Sequence, residues 1–290
     1  MRLFKQVDVF SSTPYKGNPV AVIVDAEGLS SEEMACIANW TNLSETTFVL
    51  PPTAPGADYR VRIFTPNSEL PFAGHPTLGT AHAWLESGGK PATDGVVVQQ
   101  CEAGLIQIRH LDGRLAFAAP PLVRSGPIDH DELERVCQVL KVDAADVVAA
   151  EWVDNGPGWI GVLLSDSRSV LDLVPDFGAA DQYDIGVVGP KVGAVGSLNG
   201  GAGVVYPDPA IELRAFFRSG GQAVEDPVTG SLNASVAQWL LGAGHLEAPY
   251  VASQGTVLGR QGKVYIDLAD DGTIWVGGHT VTCISGEMMI

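Results

Sequence analysis

Short runs in which hydrophobic and polar residues alternate fill most of the first 120 residues. The runs are rich in Val, Ile and Phe and are bounded by Gly, Pro, Asn or Asp, which is typical of half-buried β-strands. The pattern predicts strands at 3–10, 20–24, 46–50, 59–64, 96–100, 105–109 and 115–118. Two helices are predicted between these strands. The first follows Ser30 as its N-cap and runs to residue 39, and the second spans 76–85, with Pro76 at its start.

The same pattern of short strands resumes after a segment rich in proline and glycine. The segment contains Pro120, Pro121, Gly126 and Pro127, and Asp129 then caps an amphipathic helix that runs to about residue 141. Further strands are predicted at 147–153, 159–164, 186–188, 193–197, 203–206, 211–217, 264–268, 274–276 and 281–284, with a helix at 232–241. The best domain boundary therefore lies near residue 120.

The two halves of the chain are related by an internal repeat. An offset of 155 residues places ELPFAGHPTLGTAHAWL (69–85) on VEDPVTGSLNASVAQWL (224–240). The repeat predicts an α+β fold of two similar halves, each a sheet wrapped around one helix rich in small residues. Two such helix N-termini facing each other across a cleft would bind an anion without any arginine. The alternative is that each glycine turn only starts a helix.

Charge and cysteine content exclude several classes of function. The formal net charge of -17 argues against nucleic acid and anionic membranes as partners, although local N–H donors can still bind an anionic substrate in a cleft. The chain shows no secretory signal or long apolar run, so a cytoplasmic protein is expected. The four cysteines are far apart and form no CxxC pair, which indicates neither a zinc site nor a disulfide framework.

Three ionisable residues stand in polar contexts beside apolar segments: Glu45, His75 and Asp226. A partly desolvated carboxylate such as Glu45, which precedes a Thr-Phe-Val-Leu strand, could exchange protons near neutral pH. The alternatives are a solvated strand end for Glu45, a turn former for Asp226 and a cap of its own helix for His75. The sequence does not give the sign of the His75 pKa shift, because a helix N-terminus and a nearby carboxylate act in opposite directions.

The motifs of several large enzyme classes are missing. The chain has no GxxxxGK[ST], GxSxG, HExxH or strand–GxGxxG–helix pattern, so nucleotide-binding, serine-hydrolase and metalloprotease functions have no support. The glycine-rich stretch at 199–203 lacks a lysine and a following helix, and is interpreted as a turn.

Five stretches, in order along the chain, resemble the PhzF-like (phenazine biosynthesis protein) family within the diaminopimelate epimerase-like fold. They are VDVFSSTPYKGNPVAV (7–22), NLSETTFVLPP (42–52), RIFTPNSELPFAGHPTLGTAHAWL (62–85), EDPVTGSLNASVAQWL (225–240) and the closing GRQGKVYIDL with IWVGGHTV. The resemblance implies two pseudo-symmetric domains, 1–120 with a C-terminal strand at about 277–290, and 121–276. It also implies an active site in the cleft and a homodimer.

The resemblance also assigns roles to single residues. It implies that Glu45 is the catalytic acid/base and that His75, Asp226 and Ser231 position the substrate. The backbone N–H groups that would hold a substrate carboxylate are those of Gly74, His75, Gly230 and Ser231. Related racemases and epimerases of this fold place one cysteine at the start of each central helix. Here those positions are Ala73 and Val228, 155 residues apart, so a single carboxylate is favoured over two-base racemisation.

The function that follows is a cofactor-free isomerase that moves a proton within a small carboxylate-bearing metabolite. Members of the family in phenazine pathways isomerise dihydro-3-hydroxyanthranilate, but the stretch GSLNASVAQWL (230–240) looks like that of members outside these pathways. The sequence therefore leaves the substrate open. Two alternatives remain: a metabolite-binding protein that has lost turnover, and a racemase-like enzyme.

Overall fold

The computed structural model describes residues 1–111, 113–176, 184–191, 208–219 and 222–290. The strands predicted at 193–197 and 203–206, and the turn at 199–203, lie outside these ranges. The chain divides into two compact units: unit 1 is Met1–Ala118 with Gly277–Ile290, and unit 2 is Ala119–Val276. Within the described ranges, no helix is long and apolar enough to cross a membrane.

Unit 1 is a sheet with two helices. Its elements are β1 (Arg2–Val9), β2 (Asn18–Ile23), α1 (Ser31–Thr41), β3 (Thr46–Leu50), β4 (Tyr59–Phe64), β5 (Glu69–Leu70), α2 (Gly74–Glu86), β6 (Val96–Cys101), β7 (Gly104–Leu111), β8 (Arg114–Ala118) and, at the C-terminus, β18 (Thr280–Met288). The C-terminal strand β18 pairs antiparallel with β1, with a register shift between Gln6 and Val7.

Unit 2 contains the remaining strands and three helices. They are β9 (Arg124–Pro127), α3 (His130–Leu140), β10 (Val147–Asp154), β11 (Trp159–Leu164), α4 (Ser167–Leu171), β12 (Asp184–Pro190), β13 (Ile211–Ser219), β14 (Gln222–Asp226), α5 (Gly230–Gly242), β15 (Tyr250–Gln254), β16 (Gly262–Leu268) and β17 (Ile274–Gly278), whose last two residues belong to unit 1. Short 3₁₀ turns lie at Ala144–Asp146 and Thr256–Leu258.

The strand pairings of unit 1 recur in the same order in unit 2. In unit 1, β1/β2 is antiparallel, β2/β3 parallel, β3/β4 and β4/β5 antiparallel, β4/β6 parallel and β6/β7 antiparallel. In unit 2, β10/β11, β11/β12, β12/β13, β13/β14, β13/β15 and β15/β16 follow the same sequence of orientations. Each unit has a 13-residue central helix after its two-stranded β4/β5 or β13/β14 pair. These pairings confirm the internal repeat and the predicted α+β fold class.

The two central helices are buried on most of their surface. Small residues allow this, because strands can approach the helix backbone closely where side chains are short. A Cβ atom on Gly79 of α2 would lie 2.3 Å from Cγ1 of Val20 on β2. The glycine is therefore required by the distance between α2 and the sheet.

Replacing Gly79 with alanine tests this close approach. We expect Gly79→Ala to lower the free energy of unfolding by about 1–3 kcal/mol, the usual cost of overpacking a filled core. A Cβ on Gly242, in the last turn of α5, would meet no heavy atom within 4 Å, so Gly242→Ala is the matched control and should be neutral or stabilising through helix propensity. Urea unfolding of both variants gives the comparison, and equal stabilities would contradict the packing argument.

Several elements differ from the predictions. The strands β5, β9, β14 and β15 and the short helix α4 were not predicted. The segment around Gly126 and Pro127, which the sequence places at the domain boundary without a strand, forms β9 against β10, and Pro127 ends the strand. The predicted helices, and the predicted strands within the described ranges, are confirmed with shifts of a few residues at their ends.

Candidate active site

Glu45 lies in the short connection between α1 and β3 of unit 1. Helix α1 ends at Thr41, and its C-cap residue Asn42 has a left-handed backbone (φ 53°, ψ 30°) that turns the chain toward β3. The Glu45 carbonyl accepts a hydrogen bond of 3.4 Å from the Ala21 N–H, where β2 and β3 begin to pair. The Glu45 side chain is 15% exposed. Glu45 is therefore not a solvated strand end, and its carboxyl group is largely withdrawn from water.

His75 brings its imidazole ring to this carboxyl group. It is the second residue of α2, and its side chain is 7% exposed. Its Nε2 lies 3.1 Å from Oε2 of Glu45, without the alignment of a formed hydrogen bond, and its Nδ1 lies 3.4 Å from Nδ2 of the buried Asn18. Catalytic hydrogen bonds are often poorly aligned before a ligand binds. The structure thus brings together two of the predicted site residues, Glu45 and His75, and adds Asn18.

Burial lowers the pKa of His75 from 6.5 to about 3, against a hydrogen bond to the Pro19 backbone that raises it. The ring is therefore neutral at pH 7, and its contact with Glu45 is not an ion pair. A neutral imidazole cannot attract an anion through charge. A carboxylate bound near His75 would therefore depend on hydrogen-bond donors and not on the charge of this ring.

The N-terminus of α2 supplies such donors. Its N-cap is Ala73, and no side chain caps the helix, so the interpretation of His75 as the cap of its own helix is wrong. Pro76, the third residue, has no N–H, which leaves Gly74 and His75 as the first two donors. The first turn also contains no acidic residue to compensate the positive end of the helix dipole.

Helix α5 of unit 2 begins in the same way. Thr229 is the N-cap but makes no side-chain cap bond, the first turn has no acidic residue, and Gly230 and Ser231 are the first residues. By contrast, the other three α-helices of the described chain are each capped by a side chain of the N-cap residue: Ser30, Asp129 and Asp166. Among the α-helices of the described chain, α2 and α5 therefore have no N-cap side chain bound to their N-terminal N–H groups. Such N–H groups are the donors that an anion site requires.

Buried cations do not provide the positive charge at these helix ends. Among the described residues, the buried cationic side chains are Lys5 and Arg214. Lys5 pairs with Glu86, and Arg214 makes a bidentate pair with Glu225, with N–O distances of 2.9 and 2.8 Å. Both cations are therefore already paired with carboxylates.

Asp226 ends β14, three residues before the N-cap of α5. It is 7% exposed, and the Thr229 hydroxyl donates a hydrogen bond of 2.5 Å to its Oδ2. Asp226 and Pro227 do form the turn into α5, but the aspartate is buried and hydrogen-bonded rather than at the surface. Its carboxylate is held in one orientation beside the α5 N-terminus.

Ser231 is oriented by two residues that precede and open β11. Trp159 Nε1 donates to Ser231 Oγ at 3.3 Å, and Asn155 Nδ2 donates to the Ser231 carbonyl at 2.9 Å. These two residues were not identified from the sequence, because contacts over 72 and 76 residues leave no local pattern. The serine oxygen therefore accepts one hydrogen bond from the indole N–H, and this bond does not use the proton of the hydroxyl.

Asp184, the first residue of β12, is paired in register with Trp159 of β11. Burial and, secondarily, the charge of Asp154 raise the pKa of Asp184 from 3.8 to about 6. Asp184 is thus an acid that titrates near neutral pH, one strand away from the Trp159–Ser231 hydrogen bond. No motif in the sequence marks it.

The raised pKa of Asp184 predicts a pH-dependent stability. The folded chain holds the proton of Asp184 more tightly than the unfolded chain does. The contribution of Asp184 to the free energy of unfolding is therefore full below about pH 4 and is lost as pH rises to about 6. We expect Asp184→Asn to increase the free energy of unfolding at pH 7 by about 1–3 kcal/mol relative to the parent, with a smaller gain at pH 4. Urea unfolding at both pH values tests this. The control is Asp172→Asn, at a side chain that is 73% exposed. An equal gain in stability at pH 4 and pH 7 in Asp184→Asn would contradict the prediction.

The cysteines do not stand at the starts of the central helices. Ala73 and the fully buried Val228 occupy those positions. Burial raises the pKa of the Cys101, Cys137 and Cys283 thiols, so they are less ionised than free thiols at neutral pH. Within the described part of the chain, no group of three or more His, Cys, Asp or Glu side chains is arranged to hold a metal ion.

Gln254 is a further residue that was not singled out from the sequence. It is the last residue of β15, is 1% exposed and forms hydrogen bonds to the turn before α5. A signal for it exists in the repeat, because Gln99 of β6 stands 155 residues earlier, is fully buried and donates to Thr77 of α2 at 2.9 Å. In both units a buried glutamine from the equivalent strand therefore contacts the beginning of the central helix.

Comparison with known proteins places these features in a family. Residues 7–286 match the model of the phenazine biosynthesis-like proteins. The chain is 37% identical over 301 residues to antisense-enhancing sequence 1 of Schizosaccharomyces pombe, covering 99% of this chain and 98% of that protein. It is 34% identical over 275 residues to the trans-2,3-dihydro-3-hydroxyanthranilate isomerase of Pseudomonas aeruginosa, covering 91% and 90%.

A solved structure of a PhzF-family phenazine biosynthesis protein from Enterococcus faecalis shares the fold. It superposes with a TM-score of 0.79 at 24% identity and covers 100% of both chains. The repeated units, each with an uncapped central helix, and the family match over nearly the whole chain lead to one conclusion. The chain belongs to the phenazine biosynthesis-like protein family.

Proposed function

We propose that this chain is an isomerase that moves a proton between two carbons of a small carboxylate-bearing metabolite, with Glu45 as the single acid/base. The observation that carries the proposal is the Glu45 carboxyl group, 15% exposed and 3.1 Å from a neutral His75. Relatives with the name trans-2,3-dihydro-3-hydroxyanthranilate isomerase, 34% and 33% identical to this chain, support an isomerisation.

The proposed reaction needs one group that is first a base and then an acid. The Glu45 carboxylate takes a proton from one carbon, and the electron pair of the broken C–H bond moves into the adjacent unsaturated system. The carboxylic acid then returns the proton to a second carbon on the same face, where a new C–H bond forms. Atoms and electrons balance without an oxidant or reductant, and Glu45 ends in its starting form. His75, neutral at pH 7, positions the substrate and Glu45.

Recognition of the substrate is assigned to the uncapped helix ends. The N–H groups of Gly74 and His75 in α2, and of Gly230 and Ser231 in α5, can each donate to a carboxylate at the positive end of a helix dipole. Asp226 and the Ser231 hydroxyl position polar groups of the substrate. Because the donors are backbone groups, the site is compatible with the net charge of -17.

The proposal is tested by incubating the protein with a panel of cyclic amino and hydroxy acids. The panel begins with trans-2,3-dihydro-3-hydroxyanthranilate, and NMR spectroscopy detects both binding and conversion. We expect one member of the panel to be converted to an isomer of identical mass in which a hydrogen has moved from one carbon to another. Binding without conversion would favour a metabolite-binding protein, and inversion at a single carbon would favour a racemase-like enzyme. The homodimer and the cytoplasmic location stay predictions, and light scattering after gel filtration tests the former.

A further inference from the structure

Gln254 makes four hydrogen bonds to the turn before α5 and to the first turn of that helix. Its Oε1 accepts from the Thr229 N–H and from Asn233 Nδ2, both at 2.9 Å. Its Nε2 donates to the Asp226 carbonyl at 3.1 Å and to Thr229 Oγ1 at 2.9 Å. Gln254, Thr229, Asn233 and Asp226 are all buried, so their polar atoms depend on these hydrogen bonds and not on water.

The direction of these bonds orients the Asp226 carboxylate. Gln254 Nε2 can only donate, so Thr229 Oγ1 accepts from it and its single proton is directed away. That proton goes to Asp226 Oδ2, 2.5 Å away. The Gln254 amide therefore orients the Thr229 hydroxyl, and this hydroxyl orients the Asp226 carboxylate. Gln254 also accepts a hydrogen bond from the N–H of Thr229, the N-cap residue of α5.

The main chain after Gln254 is pressed against the same turn. Gly255 has a positive φ of 87°, and a Cβ at this residue would lie 2.5 Å from the Pro227 carbonyl oxygen. The end of β15 and the turn at 226–229 are thus in direct contact. Because no gap separates β15 from this turn, a change in the position of the Gln254 side chain also shifts the turn.

We propose that Gln254 is a positioning residue that sets the orientation of Asp226 and of the first turn of α5 for substrate binding. The proposal rests on the proposed function, in which Asp226, Gly230 and Ser231 bind the substrate. Asn233 is part of the same arrangement, since its Nδ2 also donates to the Thr229 carbonyl at 2.9 Å. Gln254 itself does not touch the substrate.

Two variants separate the roles of the amide. Gln254→Met keeps the approximate volume and removes all four hydrogen bonds, whereas Gln254→Glu keeps the acceptor for the Thr229 N–H and removes the donor to Thr229 Oγ1 and the Asp226 carbonyl. The control is Gln238→Met, which removes hydrogen bonds of 3.0 and 3.3 Å to the Pro120 and Ala234 carbonyls, two turns further along α5.

The measurements are the ¹³C shift of the Asp226 carboxyl, hydrogen exchange at the Thr229 amide, and the Kd of benzoate as a simple carboxylate probe. We expect the Asp226 signal to move in both Gln254 variants and the Thr229 amide to exchange at least ten-fold faster only in Gln254→Met. The Kd of benzoate should rise at least five-fold in both variants and stay within two-fold in Gln238→Met. If Gln254→Met does not fold, Gln254→Glu carries the test.

The outcomes distinguish this inference from the proposed function. An unchanged Asp226 signal and an unchanged Kd of benzoate in Gln254→Glu would overturn the inference and leave Gln254 with a purely structural role. Failure of the parent protein to bind benzoate would contradict the carboxylate site of the proposed function. In that case the Asp226 and Thr229 signals, which need no ligand, still support or overturn the positioning role of Gln254.

Discussion

Glu45→Gln lowers turnover by about 10²- to 10⁴-fold while the protein stays folded, if the carboxyl group of Glu45 moves the proton. Glutamine keeps the shape of the side chain and removes its basicity. Because His75 is neutral at pH 7, the substitution breaks no ion pair, and the free energy of unfolding should change by about 1 kcal/mol or less. The assay is kcat with the substrate identified from the panel of cyclic acids.

The matched control for this prediction is Glu134→Gln. The Glu134 side chain is 60% exposed on α3, where it pairs with His130 at 3.2 Å, so its loss should leave kcat unchanged. A Glu45→Gln variant with kcat close to that of the parent would show that another group carries the proton. A variant that unfolds would instead give Glu45 a structural role, which unfolding curves measured beside the kinetics detect.

His75→Asn is expected to change both activity and the pH dependence of stability. The folded-state pKa of His75 is about 3 and its ordinary value is 6.5, so the unfolded chain binds a proton that the folded chain excludes. The stability of the parent is therefore full above pH 6.5 and falls as pH decreases toward 3, by up to about 1.4 kcal/mol per pH unit from this residue. Asparagine does not titrate, so the dependence of the free energy of unfolding on pH between about 3 and 6.5 should be weaker in His75→Asn, by up to about 1.4 kcal/mol per pH unit.

Activity separates the two remaining roles of His75. His75 is the second residue of α2 and not its N-cap, so asparagine adds no cap there, and a variant that keeps kcat/KM would leave His75 with a structural role. A folded variant with reduced kcat/KM supports contact with the substrate. His130→Asn is the control, because the His130 side chain is 80% exposed and should leave both kcat/KM and the pH slope of stability unchanged.

Local signals in the sequence predicted the elements that surround the site. The cap at Ser30, the glycine turn before Pro76 and the repeat of Trp84-Leu85 at Trp239-Leu240 each depend on neighbouring residues or on a fixed offset. These signals located α1, α2 and α5 within a few residues. They also pointed to Glu45 and His75 as candidates, but they could not show that the two side chains lie 3.1 Å apart.

What the sequence could not give depends on packing between distant segments. The sign of the His75 pKa shift was open until its burial was known, since desolvation outweighs the hydrogen bond to Pro19. Gln254 forms hydrogen bonds to residues that lie 21 to 28 positions earlier in the chain. The strand β9 was not predicted because glycine and proline are uncommon within strands. In the structure, Pro127 is the last residue of β9 that pairs with β10, a position that tolerates proline.

The most direct test of the central claim is to follow hydrogen at carbon. The parent protein and Glu45→Gln are incubated with the converted substrate in deuterated water, and ¹H and ²H NMR spectra measure deuterium bound to carbon in substrate and product over time. We expect deuterium at carbon with the parent protein, because the proton held by Glu45 exchanges with solvent before the acid returns a proton to carbon, and incorporation slower by about 10²-fold or more with Glu45→Gln. Incorporation at equal rates in the two proteins would contradict the claim that Glu45 moves the proton.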